Sequence, residues 1–239
     1  MKSFKMKKLL LAAAISAATF VATNASAGII ISEVDPSGSG NAAYAADWFE
    51  LTNTGSVAVD ITGWKMDDNS NTFANAVAIR GVTSIGAGKS VVFLEGTATG
   101  TTDATIDAAF LNAWFGSNVP AGLTIGNYGG SGVGLSTTSD AVNIYNASGA
   151  LQANVSFGAA SAGTFDNAAG LNNGILTQKS VVGTNGAFYS LAGGEIGSPG
   201  LVAAVPEPET YALMLAGLGL LGFMFRNKKS ALGNNRFAA

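Results

Sequence analysis

The chain has 239 residues, is 48% apolar and only 11% charged, and contains neither histidine nor cysteine. This composition excludes Ser-His-Asp and Cys-His catalysis, histidine- or thiolate-bound zinc, and disulfide bonds. The net charge of −3 conceals an uneven distribution, because eight of the 12 Lys and Arg residues lie before residue 9 or after residue 225. Residues 28–205 keep four cationic and 13 acidic side chains, a balance of −9, which argues against binding to nucleic-acid phosphates.

The N-terminal 27 residues have the three parts of a secretory signal peptide. A lysine-rich start is followed by an apolar segment at 9–21 and by the small residues Ala25, Ser26 and Ala27, which form a cleavage site. Cleavage there leaves Gly28 as the first residue of the mature chain. We therefore expect export by the general secretion machinery, with signal peptidase removing residues 1–27.

The exported body is predicted to consist of many short strands. Runs of β-branched or alternating apolar residues are separated by turns rich in Gly, Asn and Asp. The predicted strands are 28–34, 47–53, 57–62, 90–95, 123–126, 140–146, 151–157 and 187–191. Residues 158–186 lack this pattern and are predicted to form a long loop. Short strands with turns at close intervals predict an all-β, antiparallel β-sandwich.

One segment departs from the strand pattern and predicts a short helix. Ile106, Phe110 and Trp114, together with alanines between them, recur at the 3.6-residue spacing of one helix face. Thr102 or Asp103 is placed to cap its N-terminus, and Gly116 is placed to end it.

Five aromatic side chains are candidates for a carbohydrate-stacking platform. They are Trp48, Phe49, Trp64, Phe93 and Trp114. The alternative is that most of them pack the core of the sandwich. Trp48 is the best candidate for an exposed ring, because it alternates with Phe49 along its strand.

Two groups of polar side chains are candidate functional sites, one for acid–base catalysis and one for binding a metal ion. Glu33 and Glu50 can pair as acid and base on one sheet face, as in a glycosidase, although any two strand carboxylates offer the same pairing. The second arrangement is a polar turn whose clustered oxygens suit Ca²⁺ as a cofactor, or simply form a hydrogen-bonded turn. Its members are Asp67, Asp68, Asn69 and Asn71. Ala78 stands where an EF-hand would have glutamate, so the turn is not an EF-hand.

The C-terminal region has three parts in a fixed order. Residues 201–209 form a linker whose prolines favour an extended, exposed peptide. Residues 210–225 carry no charge and are apolar all round, which predicts a single transmembrane helix of about 24 Å. Residues 226–239 begin with a basic cluster and are predicted to be a cytoplasmic tail. The residues that define this order are Val205, Pro206, Glu207, Pro208, Arg226, Lys228 and Lys229.

This order resembles the PEP-CTERM sorting signal of Gram-negative bacteria. The resemblance covers residues 205–229, and the Val-Pro-Glu-Pro-Glu opening is its most specific part. It implies recognition by an exosortase, a membrane-embedded protease or transpeptidase that acts near the Pro-Glu-Pro sequence. Members of the family usually end soon after the basic cluster, whereas this chain continues over residues 230–239.

The exported body resembles the lamin-tail domain, an immunoglobulin-like β-sandwich. The resemblance covers most of residues 28–158 and rests chiefly on Phe-Glu-Leu-Thr-Asn at 49–53 and Gly-Trp at 63–64. Ser-Pro-Gly at 198–200 is also typical, so we place the domain at 28–200. The family implies a binding or structural module without known catalytic residues, and the helix would be an insertion.

Together these features predict a non-enzymatic protein of the cell surface or of the extracellular, exopolysaccharide-rich biofilm matrix. The chain would be held in the inner membrane by its C-terminal helix until an exosortase processes it. The alternatives are a calcium-dependent carbohydrate-binding module and, third, a secreted hydrolase.

Overall fold

The computed structural model describes residues 28–159, 163–201 and 217–218. Residues Ala27–Val205 form one compact unit. The predicted signal peptide and almost all of the predicted membrane helix and basic tail lie outside the described residues. Among the residues that are described, no helix is long and apolar enough to span a bilayer.

The described part of the body, residues 28–159 and 163–201, contains fourteen strands and two helices. In chain order the strands β1 to β14 are Ile29–Asp35, Trp48–Asn53, Val59–Asp60, Lys65–Asp67, Val77–Arg80, Ser84–Ile85, Ser90–Gly96, Ile125–Gly129, Asp140–Tyr145, Leu151–Phe157, Phe165–Asp166, Gly174–Leu176, Phe188–Tyr189 and Ile196–Gly197. The helices are α1, Gly38–Asn41, and α2, Asp103–Phe115.

Ten strands form one continuous sheet in the order β11-β1-β2-β7-β8-β5-β4-β9-β10-β12. The first half of the sheet is β11-β1-β2-β7-β8, and the second half is β5-β4-β9-β10-β12. Apolar side chains from both halves share the first core, which contains Phe49 and Phe93 from the first half and Val142, Ile144 and Val155 from the second. This sheet-dominated, all-β architecture with a short helix is consistent with an immunoglobulin-like β-sandwich.

The sheet is mixed, whereas the sequence predicted antiparallel pairing alone. β7 pairs with β8 in parallel, and β10 pairs with β12 in parallel. Parallel neighbours need a crossover connection, commonly a helix. The predicted helix is that crossover, because α2 lies between β7 and β8 in the chain. Its end is as predicted, since Gly116 adopts a positive φ of 57°.

Helix α2 creates a second core on the other face of the sheet. Phe110 and Trp114 of α2 pack with Trp48 of β2 and with Val92 and Leu94 of β7. β7 is therefore buried on both faces, since Val91 and Phe93 belong to the first core. Asp103 at the start of α2 does not cap the helix through a side-chain bond to its own turn but accepts a bidentate bond from Arg80, at 2.7 and 2.8 Å.

The predicted loop at 158–186 contains short strands. Phe165–Asp166 pairs with β1, and Gly174–Leu176 pairs in parallel with β10. The prediction for 57–62 was too long, because only Val59–Asp60 is a strand and it pairs with Ser84–Ile85. Strands of two or three residues are too short to show a period of two, so their sequences carry no readable pattern.

Replacement of Phe110 by alanine should test whether α2 is part of the core. Phe110 is fully buried, and its ring meets the rings of Tyr44, Trp48 and Trp114. We expect Phe110→Ala to lower the free energy of unfolding by about 3–5 kcal/mol in chemical denaturation. Val57→Ala, at a side chain that is 61% exposed, should change it by less than about 0.5 kcal/mol. Equal effects of the two substitutions would show that α2 does not pack as described.

Candidate functional site

Two glutamates lie side by side on the face of the sheet that the first core does not use. Glu33 of β1 is the register partner of Glu50 of β2, at a point where β1 carries a bulge. The structure therefore places the two carboxylates next to each other on one sheet face. Both side chains are buried, with exposures of 2% and 1%.

Hydrogen-bond donors from the last part of the domain, and one from β1, contact this pair. The backbone N–H of Ser198 donates to both carboxylate oxygens of Glu33 at 3.0 Å, and Ser180 Oγ donates to Glu33 Oε1 at 3.0 Å. The backbone N–H of Gly200 donates to Glu50 Oε2 at 2.5 Å, while Ser32 Oγ donates to Glu50 Oε1 at 2.6 Å. The Ser-Pro-Gly sequence thus supplies the backbone donors that two buried carboxylates need.

Burial makes both glutamates weaker acids than exposed glutamates, because it disfavours the charged form. It raises the pKa of Glu50 to about 7, although its hydrogen bonds from Ser32 and Gly200 act in the opposite direction. Burial, followed by the negative charge of Glu50, raises the pKa of Glu33 well above its ordinary value. The pair therefore holds protons at pH values where exposed glutamates are ionised.

The space beside the pair is too small for a substrate. Glu33, Glu50, Ser198 and neighbouring residues line a cavity of about 10 Å³. A single water molecule needs roughly 10–15 Å³ measured in this way. The pair is thus enclosed by the fold and does not line a cleft.

A second group of carboxyl groups lies beside the short helix α1. Tyr44 Oη donates to Glu195 Oε1 at 2.5 Å and accepts from Trp48 Nε1 at 3.1 Å. Asp47 Oδ1 accepts the backbone N–H of Ser39 at 2.8 Å. Burial raises the pKa of Asp47 to about 7, and burial together with the nearby Asp35 carboxyl raises the pKa of Glu195 to about 8.

The aromatic side chains belong to the two cores and form no exposed platform. Trp48 and Phe49 are fully buried, and Trp64, Phe93 and Trp114 are at most 6% exposed. The expectation that Trp48 is exposed was wrong. Alternation along β2 does place Trp48 and Phe49 on opposite faces, but α2 covers the face that the sequence suggested was open to solvent.

The predicted calcium ligands lie at the end of β4 and in the turn that follows it. Several of their oxygens accept hydrogen bonds within the protein, whereas Asp67 Oδ1 is buried without a partner among the described residues. Asp67 Oδ2 accepts from Ser70 Oγ and from the backbone N–H of Thr72, both at 2.7 Å. Asp68 Oδ1 accepts the backbone N–H of Ser70 at 3.0 Å.

The two asparagines of this turn are also bonded within the protein, Asn71 through its side chain and Asn69 through its backbone. Asn71 Oδ1 accepts from Tyr145 Oη at 2.5 Å, and the backbone N–H of Asn69 donates to Asp140 Oδ1 at 3.0 Å. Within the described part of the chain, no group of three or more His, Cys, Asp or Glu side chains is arranged to hold a metal. Calcium binding by this turn stays a prediction.

The all-β, sheet-dominated body, which is consistent with an immunoglobulin-like β-sandwich, defines the class of this protein. The lamin tail domain family matches residues 22–159, more than half of the 239 residues, and the chain belongs to that family. The PEP-CTERM protein-sorting motif matches residues 204–229, which implies export and membrane-associated processing by an exosortase. No curated protein and no solved structure matches the chain.

The sorting residues and the signal cleavage site are not described structurally, apart from Gly28 at the start of the body. The strand pattern allows Glu33 and Glu50 to share a face, but nothing local in the sequence joins this pair to the Ser-Pro-Gly segment. Ser198 and Glu33 are 165 positions apart, and no local pattern joins residues at that separation.

The raised pKa values predict that the domain loses stability as the pH rises. The folded state binds more protons than the unfolded chain between about pH 4.5, the ordinary pKa of Glu, and about pH 8, so the free energy of unfolding decreases across that interval. For each group, one unit of pKa difference between the folded and unfolded states changes the free energy of unfolding by about 1.4 kcal/mol. Urea denaturation at pH 5, 6, 7 and 8 measures this slope.

Glu50→Gln should make the slope shallower, because the amide resembles the protonated acid and cannot ionise. Asp60→Asn is the matched control. Asp60 is exposed, and bonds from Thr62 lower its pKa, so it is already ionised at pH 5. A slope that Glu50→Gln leaves unchanged would contradict the assignment of raised pKa values to the pair.

Proposed function

We propose that this protein is a non-enzymatic component of the cell surface or of the exopolysaccharide-containing biofilm matrix. Its lamin tail domain would be the adhesive or structural body. The observation that carries the proposal is the order of the two matched regions. The sorting motif begins at residue 204, only a few residues after the Ser198–Gly200 segment that completes the fold.

The terminal segments supply the proposed route. The signal peptide would direct export and be cleaved after Ala27, and residues 210–225 would hold the chain in the inner membrane of a Gram-negative cell. The basic residues after 225 would remain cytoplasmic. An exosortase acting near Pro206, Glu207 and Pro208 would then release the folded body without breaking any of its internal contacts.

Two features support a non-enzymatic body. The sequence has no histidine or cysteine to act as nucleophile or base. The paired carboxylates, the best candidates for acid and base, adjoin a cavity of about 10 Å³. A glycosidase needs its two carboxyl groups to flank a bound sugar, and this enclosure leaves no room for one.

A calcium-dependent carbohydrate-binding module is a second candidate function. The observation that favours it is the position of the Asp67–Asn71 turn, since Asn69 and Asn71 line an open groove on the sheet surface. Calcium would hold the turn in place, and a glycan would occupy the neighbouring surface.

Replacement of Pro206, Glu207 and Pro208 by three alanines should block processing. We expect the wild-type protein, made in a host with an exosortase, to lose everything after about residue 206 and to appear outside the cell. The variant should keep residues 210–225 and remain in the inner membrane. Intact mass and membrane fractionation measure both properties.

The matched control places three alanines at 233–235, outside the matched region of 204–229. This variant should be processed like the wild type. Retention of residues 210–225 by the wild type, together with identical fractionation of all three proteins, would contradict delivery to the surface or matrix.

A further inference from the structure

An open groove lies on the outer face of the second half of the sheet. Its volume is about 350 Å³, at the lower end of the range for ligand-binding clefts. Five asparagines, drawn from four separate segments of the chain, dominate its lining. They are Asn69, Asn71, Asn143, Asn154 and Asn173.

The strand period explains why asparagines collect on this face. Val142 and Ile144 of β9 and Val155 of β10 point into the first core, so the intervening Asn143 and Asn154 point outward. These two are direct register partners across the antiparallel pair. The amide groups are therefore fixed in relative position by the sheet.

Hydrogen bonds hold the rim of the groove against its floor. Asn143 is buried under the turn and donates from Nδ2 to the backbone carbonyl of Asp68 at 2.5 Å. Tyr145 Oη donates to Asn71 Oδ1. On the other side, the backbone N–H of Asn173 donates to the carbonyl of Asn154 at 2.8 Å. The groove is thus pre-organised, which lowers the entropic cost of binding.

The lining contains no ionisable side chain among the described residues that form it. Asn69, Asn71 and Asn173 are exposed, and their carboxamides present donor N–H groups beside acceptor oxygens. Asn71 Oδ1 already accepts one hydrogen bond from Tyr145 Oη, and Asn173 Oδ1 accepts one from Asn154 Nδ2, so each of these oxygens has one lone pair left for a ligand. Ile175 adds an apolar surface that is 65% exposed. Adjacent donors and acceptors match the hydroxyl groups of a sugar, and an apolar side chain matches its C–H face.

We propose that this groove binds a neutral oligosaccharide. A neutral ligand is favoured over an anionic polymer, because the body has a charge balance of −9 and the described lining of the groove contains no cationic side chain. The inference deepens the proposed function by naming the class of partner and its site. It rests on that function only for the expectation that the glycan is extracellular.

Binding can be measured on the full chain in a mild, uncharged detergent. The probes are dextran, mannan, galactan and xyloglucan as neutral polysaccharides, with alginate as an anionic one, in affinity electrophoresis. We expect retardation by at least one neutral probe and none by alginate. Retardation by alginate alone, or by no probe, would overturn the proposal.

Two variants locate the site. Asn69→Ala/Asn154→Ala removes two carboxamides from residues without positive φ, and Ile175→Asp places a charge on the exposed apolar surface. Each should weaken retardation at least tenfold. The matched control, Asn112→Ala/Asn118→Ala, removes two exposed carboxamides outside the groove and should bind as the wild type does. Equal binding by all the variants would place the glycan elsewhere.

Three further outcomes separate this inference from its alternatives. Loss of retardation both in EDTA and in Asn69→Ala/Asn154→Ala, with Ile175→Asp binding normally, would favour the calcium turn and overturn the groove. Binding by a chain that is never released from the membrane would contradict the proposed delivery but support the groove. Release of the body from the membrane without binding to any neutral polysaccharide would support the proposed delivery but overturn the groove.

Discussion

The fold depends on a pair of buried carboxyl groups and the backbone that satisfies them. Glu33 and Glu50 are neighbours in adjacent strands, and neither has a cation beside it in the hydrogen bonds described. Buried polar groups without partners are strongly destabilising. The partners come from Ser198 and Gly200, so the end of the body must return to its first two strands. This contact makes residues beyond 159, where the family match ends, part of the same folded unit.

The helix imposes the second constraint. As the crossover between β7 and β8, it produces a parallel pair inside a mostly antiparallel sheet and covers the outer face of β2 and β7. The protein therefore has two cores, one on each side of these strands. One consequence is that the second half of the sheet, which α2 does not cover, carries the asparagine groove.

Sequence patterns predicted much of the body and failed where the determining contacts are distant. The strands near 29–35, 48–53, 90–96, 140–145 and 151–157 were predicted because each is long enough to show alternation. Trp48 was placed at the surface because alternation separates two faces but does not say what covers each face. The short strands at 165–166 and 174–176 depend on partners already in the sheet. No local sequence pattern predicts the hydrogen bonds from Ser198 to Glu33 either, because the two residues are 165 positions apart.

The Ser198–Gly200 segment is an integral part of the domain, so the sorting motif follows a completed fold. Amide hydrogen exchange in the full chain tests this most directly. At pH 6 the amides of Ser198 and Gly200 should exchange far more slowly than that of Gly194, which lies in an exposed turn. Exchange at Ser198 and Gly200 as fast as at Gly194 would show that the segment is detached, and would contradict the account.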